Sequence, residues 1–574
     1  MALFDRASLV QIPSGYKEGK LYNIKPFNQP FEFERGSAAT RVNEDGLIET
    51  LHDEATNLLL QSNQFDTTWS SNGITETSGQ AGYDGSNDAW LIEKSNPGVR
   101  VEQSISGSGV TTFSVYVKAG TLNFAILNLS SFVQYFDLEN GVLGNESGFI
   151  PAKIDSGIES VGNGWYRCYI TTNQSYTIAR IYPARANGDN SGSSGNIIIQ
   201  DAQLESGYFA TPYIETTTEA VTRPNRHDTP RLDYSGTEPA LLLEPQRTNL
   251  LDNFEYDSGS GWAKSSTTTI IKDSQIKDPF GGYNSYRFTT QNLYDNIIKQ
   301  VVRTVTGDHT ATIFIKGVNG VASSGSFIMS RGVGFDIDAS GVITTKDPTG
   351  YSPATEYHLE YISNGWYKLG FTYSYPSTGS DGFIVASDTA ISDFYIYGGQ
   401  VEAGSYATSY IPTNGQAETR LADVCNGGGN ASVFNDSEGT IYYEVAALGD
   451  DSTHRFIALS DGTNSNRISL GFKNGSSAVE IISSTGGGFS VYINTTYSIA
   501  DTYKIALKYS TNNVKLWVNG SQSGSSTTYS AISSLDTLNF DSGGGSSNLY
   551  ASVKSLYYFP TALTDTELQQ LTTI

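Results

Sequence analysis

Several residue types are scarce in this chain of 574 residues, and each scarcity excludes something. Cysteine occurs twice, at Cys168 and Cys425. Two thiols in distant stretches exclude a disulfide framework and give no thiol set for a metal, so both are expected as free, buried side chains. Histidine is limited to 5 residues, which thins the routes to Ser-His or metal catalysis, and methionine to 2, which disfavours a helical protein. Charged residues make up only 16%, against about a quarter in an ordinary soluble domain. Among them 35 Lys and Arg face 59 Asp and Glu, a formal charge of −24 that repels nucleic-acid phosphates and anionic lipid headgroups. No apolar run approaches the ~20 residues that span a bilayer, so no membrane insertion is expected. The opening Met1-Ala-Leu-Phe-Asp-Arg6 lacks the apolar core of a signal peptide, which predicts synthesis in the cytoplasm.

What is abundant points to strands and turns. Gly (59), Tyr (36) and Phe (26) are plentiful; aromatic and β-branched residues suit a pleated surface, and Gly, Asn and Ser punctuate it. The length implies several cores, at roughly 100 to 200 residues per domain.

An internal repeat divides the chain. Residues 203–223 and 400–420 match without gaps at eleven of 21 positions, including Gln203/Gln400, Glu205/Glu402 and Arg223/Arg420. Other landmarks recur in the same order: Thr56-Asn-Leu-Leu59 with Thr248-Asn-Leu-Leu251, Trp69 with Trp262, Phe136-Asp-Leu138 with Phe335-Asp-Ile337, and Asn163-Gly-Trp-Tyr-Arg167 with Asn364-Gly-Trp-Tyr-Lys368. Asn-Gly accepts positive φ at both centres of a type I′ turn, so each pair closes a hairpin, and Trp165 and Trp366 are expected as core anchors. Short strands without helical periodicity predict two antiparallel jelly rolls, 56–223 and 224–420.

Thr-Arg at 40–41, 222–223 and 419–420 reads as a junction signature, and Pro224 to Pro230 as an extended connector. Short linkers then imply modules stacked in a rod. Residues 1–55 hold Phe27, Phe31 and Phe33 among prolines and are too short for a core of their own, so their burial is expected against a partner. After Arg420 the repeat ends. Alternating strands such as Gly439–Val445 and Val514–Val518 predict a third β-sandwich over 421–574. Thr564 and Glu567 form a capping box, stapled by Leu563 and Leu568, for a terminal helix.

The pattern Glu-Gly-Thr-Ile-Tyr442, a strand ending in Val-Asn-Gly520, and Ala562-Leu-Thr-Asp-Thr-Glu-Leu568 resembles concanavalin A-like, laminin-G-type lectin domains. The repeated Thr-Asn-Leu-Leu, Gly-Trp-Tyr and Gln-x-Glu-x-Gly segments resemble carbohydrate-binding-like modules of tailed-phage head-spike and tail-fibre proteins. The opening Leu3-Phe-Asp-Arg-Ala-Ser-Leu-Val10, with Phe33-Glu-Arg-Gly-Ser-Ala-Ala-Thr-Arg41, is similar to the start of virion fibres. This resemblance implies an all-β, non-enzymatic homotrimeric fibre located in the virion. It would attach through residues 1–55 to capsid or tail protein, head being slightly favoured, and present its lectin-like end to host-surface or mucus glycans. A polysaccharide-degrading tailspike is the alternative, and a secreted bacterial adhesin the third reading.

Chemistry-bearing motifs are sparse: no G-x-S-x-G, H-E-x-x-H or P-loop is present. Glu205 and Glu402 stand at the same place in both copies, but Gln-x-Glu puts both side chains on one sheet face, where they bond loop amides. For glycan binding the terminal domain offers Asp450, Asp451, His454, Arg455, Asp461, Asn464, Asn466 and Arg467. Loop Asp, Asn and Arg side chains hydrogen-bond sugar hydroxyls, or hold Ca²⁺, the one cofactor considered.

Overall fold

The computed structural model describes residues 3–17, 19–51, 55–192, 194–207, 210–223, 226–253, 256, 261–273, 275–413, 415–473, 478–496, 502–529 and 531–574. Pro224 of the expected connector, and Tyr208, Phe209 and Asn414 of the repeat, lie outside them. The chain is all-β. Antiparallel ladders dominate, and among the described residues α-helix occurs only at Leu3–Arg6 and Asp565–Thr572.

In the first module one sheet runs Lys153–Gly162, Trp165–Asn173, Val110–Ala119, Gly195–Ser206, Ala89–Lys94, Ile74–Gln80. The other runs Val142–Gly148, Phe132–Asp137, Phe124–Leu129, Tyr176–Ala184, Arg100–Gly107, Ser70–Asn72. The second module repeats both orders strand for strand. Its sheets are Glu356–Ser363, Trp366–Tyr375, Gly307–Gly317, Asp393–Ala403, Ser285–Thr289, Thr269–Asp273 and Ile343–Lys346, Gly332–Ile337, Ser323–Ile328, Gly379–Ser387, Asn296–Arg303, Ala263–Lys264. Each pair of sheets closes on its own apolar core.

The repeat therefore persists in three dimensions. Trp165 and Trp366 open equivalent strands, face Lys118 and Lys316 in register, and are 1% and 0% exposed. Before them, Asn163, Gly164, Asn364 and Gly365 have φ of 53°, 76°, 50° and 80°, the left-handed pairs that a type I′ turn demands. Even the irregularities match. The ladders Val110–Ala119/Gly195–Ser206 and Gly307–Gly317/Asp393–Ala403 slip at the same point, between Ser114 and Tyr116 and between Thr312 and Phe314.

Thr-Arg closes modules rather than joining them. Val221–Arg223 pairs with Ala55–Asn57, and Glu418–Arg420 with Arg247–Asn249, so the end of each module zips to its Thr-Asn start. The facing hydroxyls Thr56/Thr222 and Thr248/Thr419 bond at 2.9 and 2.8 Å.

The structure corrects the division at 55 and 421. The terminal sandwich is assembled from three separated stretches. Its larger sheet runs Arg231–Asp233, Ala240–Leu243, Ala551–Phe559, Gly439–Ala447, Thr502–Ser510, Asn513–Val518, Ser521–Ser526, and Leu9–Gln11 also pairs with Ala551–Phe559. A five-stranded sheet, Gly488–Thr496 to Thr537–Asn539, lies opposite, and Phe31–Glu34 pairs with Val424–Asn426. Residues 231–243 thus belong to this sandwich and not to the second module. The physical reason is apolar area: Leu9, Leu21, Phe31, Phe33, Leu241 and Leu243 complete a core that the last 154 residues leave open. The remaining early hairpin, Ala39–Val42 with Ile48–Leu51, lies on the second module, where the Ile48 amide donates to Pro279 O at 2.9 Å. The terminal helix has the expected capping box and buries Leu563 and Leu568 beside Ala7 and Val10.

An ionic cluster binds these stretches. Arg35 Nη1 lies 3.2 Å from Asp423 Oδ1, and Arg231 contacts Asp423 and reaches Glu244 at 2.6 Å. Arg420 reaches the same Glu244 oxygen at 2.8 Å, and Ser409 donates N–H and O–H to Glu244 at 2.7 Å each. All five ionic side chains are 3% exposed or less. Burial pushes the Glu244 carboxyl up, but Arg420 and Arg231 outweigh it and hold it well below the usual range. Burial, helped by Arg231 and Arg420, pulls Arg35 down to about 10 despite Asp423.

Two outcomes are expected. Phe31→Ala in the full chain costs about 3–5 kcal/mol of terminal-sandwich stability, seen as a lowered midpoint in denaturant. Residues 421–574 expressed alone, lacking the early strands, give no cooperative melt; a sharp transition there would refute the shared core.

Candidate functional site

The repeated Gln-x-Glu pairs are locks. In the first module Gln203 Nε2 donates to Glu205 Oε1 at 2.6 Å, and Gln203 Oε1 accepts from the Ile214 amide at 2.7 Å. Glu205 accepts the Thr211 amide and hydroxyl at 2.8 and 2.6 Å. Gln400, Glu402, Thr408 and Ile411 repeat every contact, at 2.8, 2.7, 2.9 and 2.6 Å. Both glutamates are 0% exposed. Their oxygens are committed to fixing the Ala-Thr-x-Tyr-Ile segment that follows each strand.

The eight terminal-domain candidates fall into two groups at opposite ends of one hairpin. Arg455 faces Phe472 and Ser460 faces Arg467 in the Arg455–Ser460/Arg467–Phe472 ladder, a separation of roughly 17 Å. At one end Arg455 is 1% exposed, 2.7 Å from Asp451 and over the Tyr406 ring of the second module, while Ser405 donates to Asp450 O. His454 stacks on Phe456 at 5.3 Å. This end is a seam between domains. At the other end Asp461 accepts from Thr463 and from Asn466 Nδ2 at 2.7 Å, and Arg467 Nη1 bonds Asn464 Oδ1 and, at 2.7 Å, Ser542 O. These groups bond one another and form a polar loop end. Among the described residues no three His, Cys, Asp or Glu converge to hold a metal ion.

Of the early aromatics, Phe31 and Phe33 are 0% and 1% exposed and packed in the chain's own core, Phe31 5.1 Å from Phe540. Their expected burial against a partner is thereby corrected. Phe27 differs: it is 68% exposed and stacked on Tyr22. Cys168 and Cys425 are free and buried.

The first module carries an aromatic cluster that the sequence analysis does not single out. Loop 82–88 carries Tyr83 over Tyr116, ring centroids 3.8 Å apart and nearly parallel, with Trp165 edge-on beneath at 6.3 Å. Gln200 clamps the loop: its Oε1 accepts the Tyr83 amide at 3.1 Å, and its Nε2 donates to Asp88 at 2.8 Å and Asp84 at 3.3 Å. Asp201, at φ 55°, accepts the Tyr83 hydroxyl at 3.0 Å, and Tyr213 bonds Ser62 at 2.6 Å. In the second module the equivalent face is apolar and occupied. Phe280 and Phe314 replace the tyrosines, Gly398 replaces Asp201, and Ile48 of the early hairpin packs beside Trp366 and Tyr410. The readable signal was this divergence between copies, polar where the face is open and apolar where it is covered.

No family model matches the sequence, and no curated protein is similar to it. Among solved structures, the CBM40 of the Ruminococcus gnavus IT-sialidase is similar at 16% identity over 26% of this chain and 93% of that one, with a TM-score of 0.23. A putative carbohydrate-binding protein from Bacteroides ovatus shares 9% identity over 50% of this chain and 81% of its own, TM-score 0.21. The LG1-3 region of the laminin α2 chain shares 10% identity over 80% and 95%, TM-score 0.19.

Burial, with Asp88, Asp84 and Glu215 nearby, pushes the Asp201 carboxyl up to about 7 against the Tyr83 hydrogen bond. A carboxyl so raised keeps its proton longer folded than unfolded, so stability falls as pH rises from about 4 to 7. Asp201→Asn keeps an acceptor and suits the left-handed backbone. It is expected to stabilise by roughly 1–3 kcal/mol at pH 8 and not at pH 4, checked by melts at both.

Proposed function

We propose that this protein is a non-enzymatic, glycan-binding fibre subunit, with the first module's tyrosine face as its sugar platform. The stacked Tyr83–Tyr116 pair carries the reading. A flat, pre-ordered aromatic surface stacks on the C–H face of a sugar ring at little entropic cost, and the rim of Asp84, Asp88 and Ser86 supplies partners for its hydroxyls. In the second module Ile48 of the early hairpin covers the counterpart face, so of the two copies the first is the one left to meet a ligand. The sealing of Glu205 and Glu402 favours binding over cleavage, and the neighbouring carbohydrate-binding structures agree with the reading in kind.

Within that reading, the sequence resemblance favours a homotrimeric phage fibre in the virion, on the head rather than the tail. The exposed Tyr22–Phe27 stack is the part of the early segment left for capsid or tail protein. Host-surface or mucus glycans are the far partner. Single contacts of this kind are weak, and several copies on one particle raise avidity by 10² or more.

The test is a host-glycan array probed with full-length protein. Tyr83→Ala is expected to lower apparent affinity about tenfold, roughly 1.4 kcal/mol, while Phe280→Ala leaves it unchanged. No bound glycan, or equal binding by both variants, would remove the platform. New reducing ends on incubation with capsule would replace binding by cleavage.

A further inference from the structure

A cleft of about 470 Å³ separates the two modules. The first module supplies Val142 and Ser156 to its wall, and the second supplies Trp262, Lys264, Ile271 and Lys272. Val142 and Ile271 are 48% and 61% exposed, unusually open for branched apolar side chains. Among the described residues two buried donors in this wall have no partner: Ser156 Oγ, on a side chain 3% exposed, and Trp262 Nε1. An unpaired buried donor costs about 1–3 kcal/mol, which a ligand acceptor bonded to it would recover. Trp262 is held by Tyr256 at 4.6 Å and Phe383 at 5.8 Å, so its ring is fixed where a ligand would meet it.

The lining is one-sided in its chemistry. The indole N–H and both ammonium groups only donate, and Lys272 spends one of its three N–H groups on Ile158 O at 3.2 Å. Among the described residues that line this cleft none is a carboxylate. Glu159, which interacts with Lys272, is not among the lining residues, and burial pushes its carboxyl up. An acceptor-rich, negatively charged ligand with an apolar ring face is the complement of such a wall.

We propose that the cleft between the modules binds an acidic oligosaccharide, one sugar ring against Trp262 and its carboxylate against Lys264 and Lys272, with Ser156 and the indole N–H donating to ring oxygens. This site is separate from the tyrosine platform and extends glycan recognition to a second chemical class. Full-length protein is titrated calorimetrically with a tetragalacturonate and with a neutral galactose tetrasaccharide. The acidic ligand is expected to bind at least tenfold tighter and to weaken several-fold between 50 and 300 mM salt. Lys264→Gln abolishes that preference. Ser156→Ala lowers affinity three- to tenfold while leaving the melting temperature unchanged or higher, since the hydroxyl has no partner to lose; a merely structural serine would do the reverse. Tyr83→Ala leaves this binding intact, so failure here and failure of the platform are told apart. No binding at millimolar ligand, equal binding of the neutral sugar, or salt-insensitive binding would overturn the proposal.

Discussion

Three guanidinium groups and two carboxylates, drawn from three separated stretches of the chain, share one dry space. Arg35 comes from the early segment, Arg231 and Glu244 from the hairpin between modules, Arg420 from the end of the second module, and Asp423 from the start of the last sandwich. Charges out of water tolerate no vacancy, since leaving one unpaired costs about 3–5 kcal/mol. The cluster is therefore satisfied only when all three stretches are in place together. Hydrophobic area alone would accept several arrangements of these strands; the ionic cluster accepts one. Burial, together with a surplus of positive groups, lowers both Arg35 and Arg420 from the usual guanidinium value.

Much of the fold was legible because local rules acted alone. Asn-Gly dictated the turns before Trp165 and Trp366, the alternation of apolar residues dictated strands, and Thr564 with Glu567 dictated the helix start. The module repeat was legible for the same reason, since an ungapped match of 21 residues preserves every hydrogen bond of the Gln-x-Glu lock. What failed was connectivity. Short apolar strands such as Leu9–Gln11 and Ala240–Leu243 carry no mark of which sheet they will join, and partner choice depends on area left uncovered hundreds of residues away.

The candidate sites show the same limit. Asp451 and Arg455 looked like a ligand cluster because their types suit sugars, yet Tyr406 of another module claims them. Tyr83 and Tyr116 are 33 residues apart in an aromatic-rich sequence and gave no motif. Duplication makes such places visible afterwards. Two copies of one sandwich were given different neighbours, and the side chains record which face met protein and which met water.

One pairing constrains how the chain is made. Leu9 lies opposite Tyr558, so an early strand completes a ladder whose other side is not made until hundreds of residues later. At about 5–20 residues per second, that strand waits tens of seconds with its edge unpaired, while the first module can close as soon as Arg223 pairs with Ala55. The first module thus closes before this sheet does, and the early segment needs protection from aggregation until Leu9–Gln11 is sewn to Ala551–Phe559.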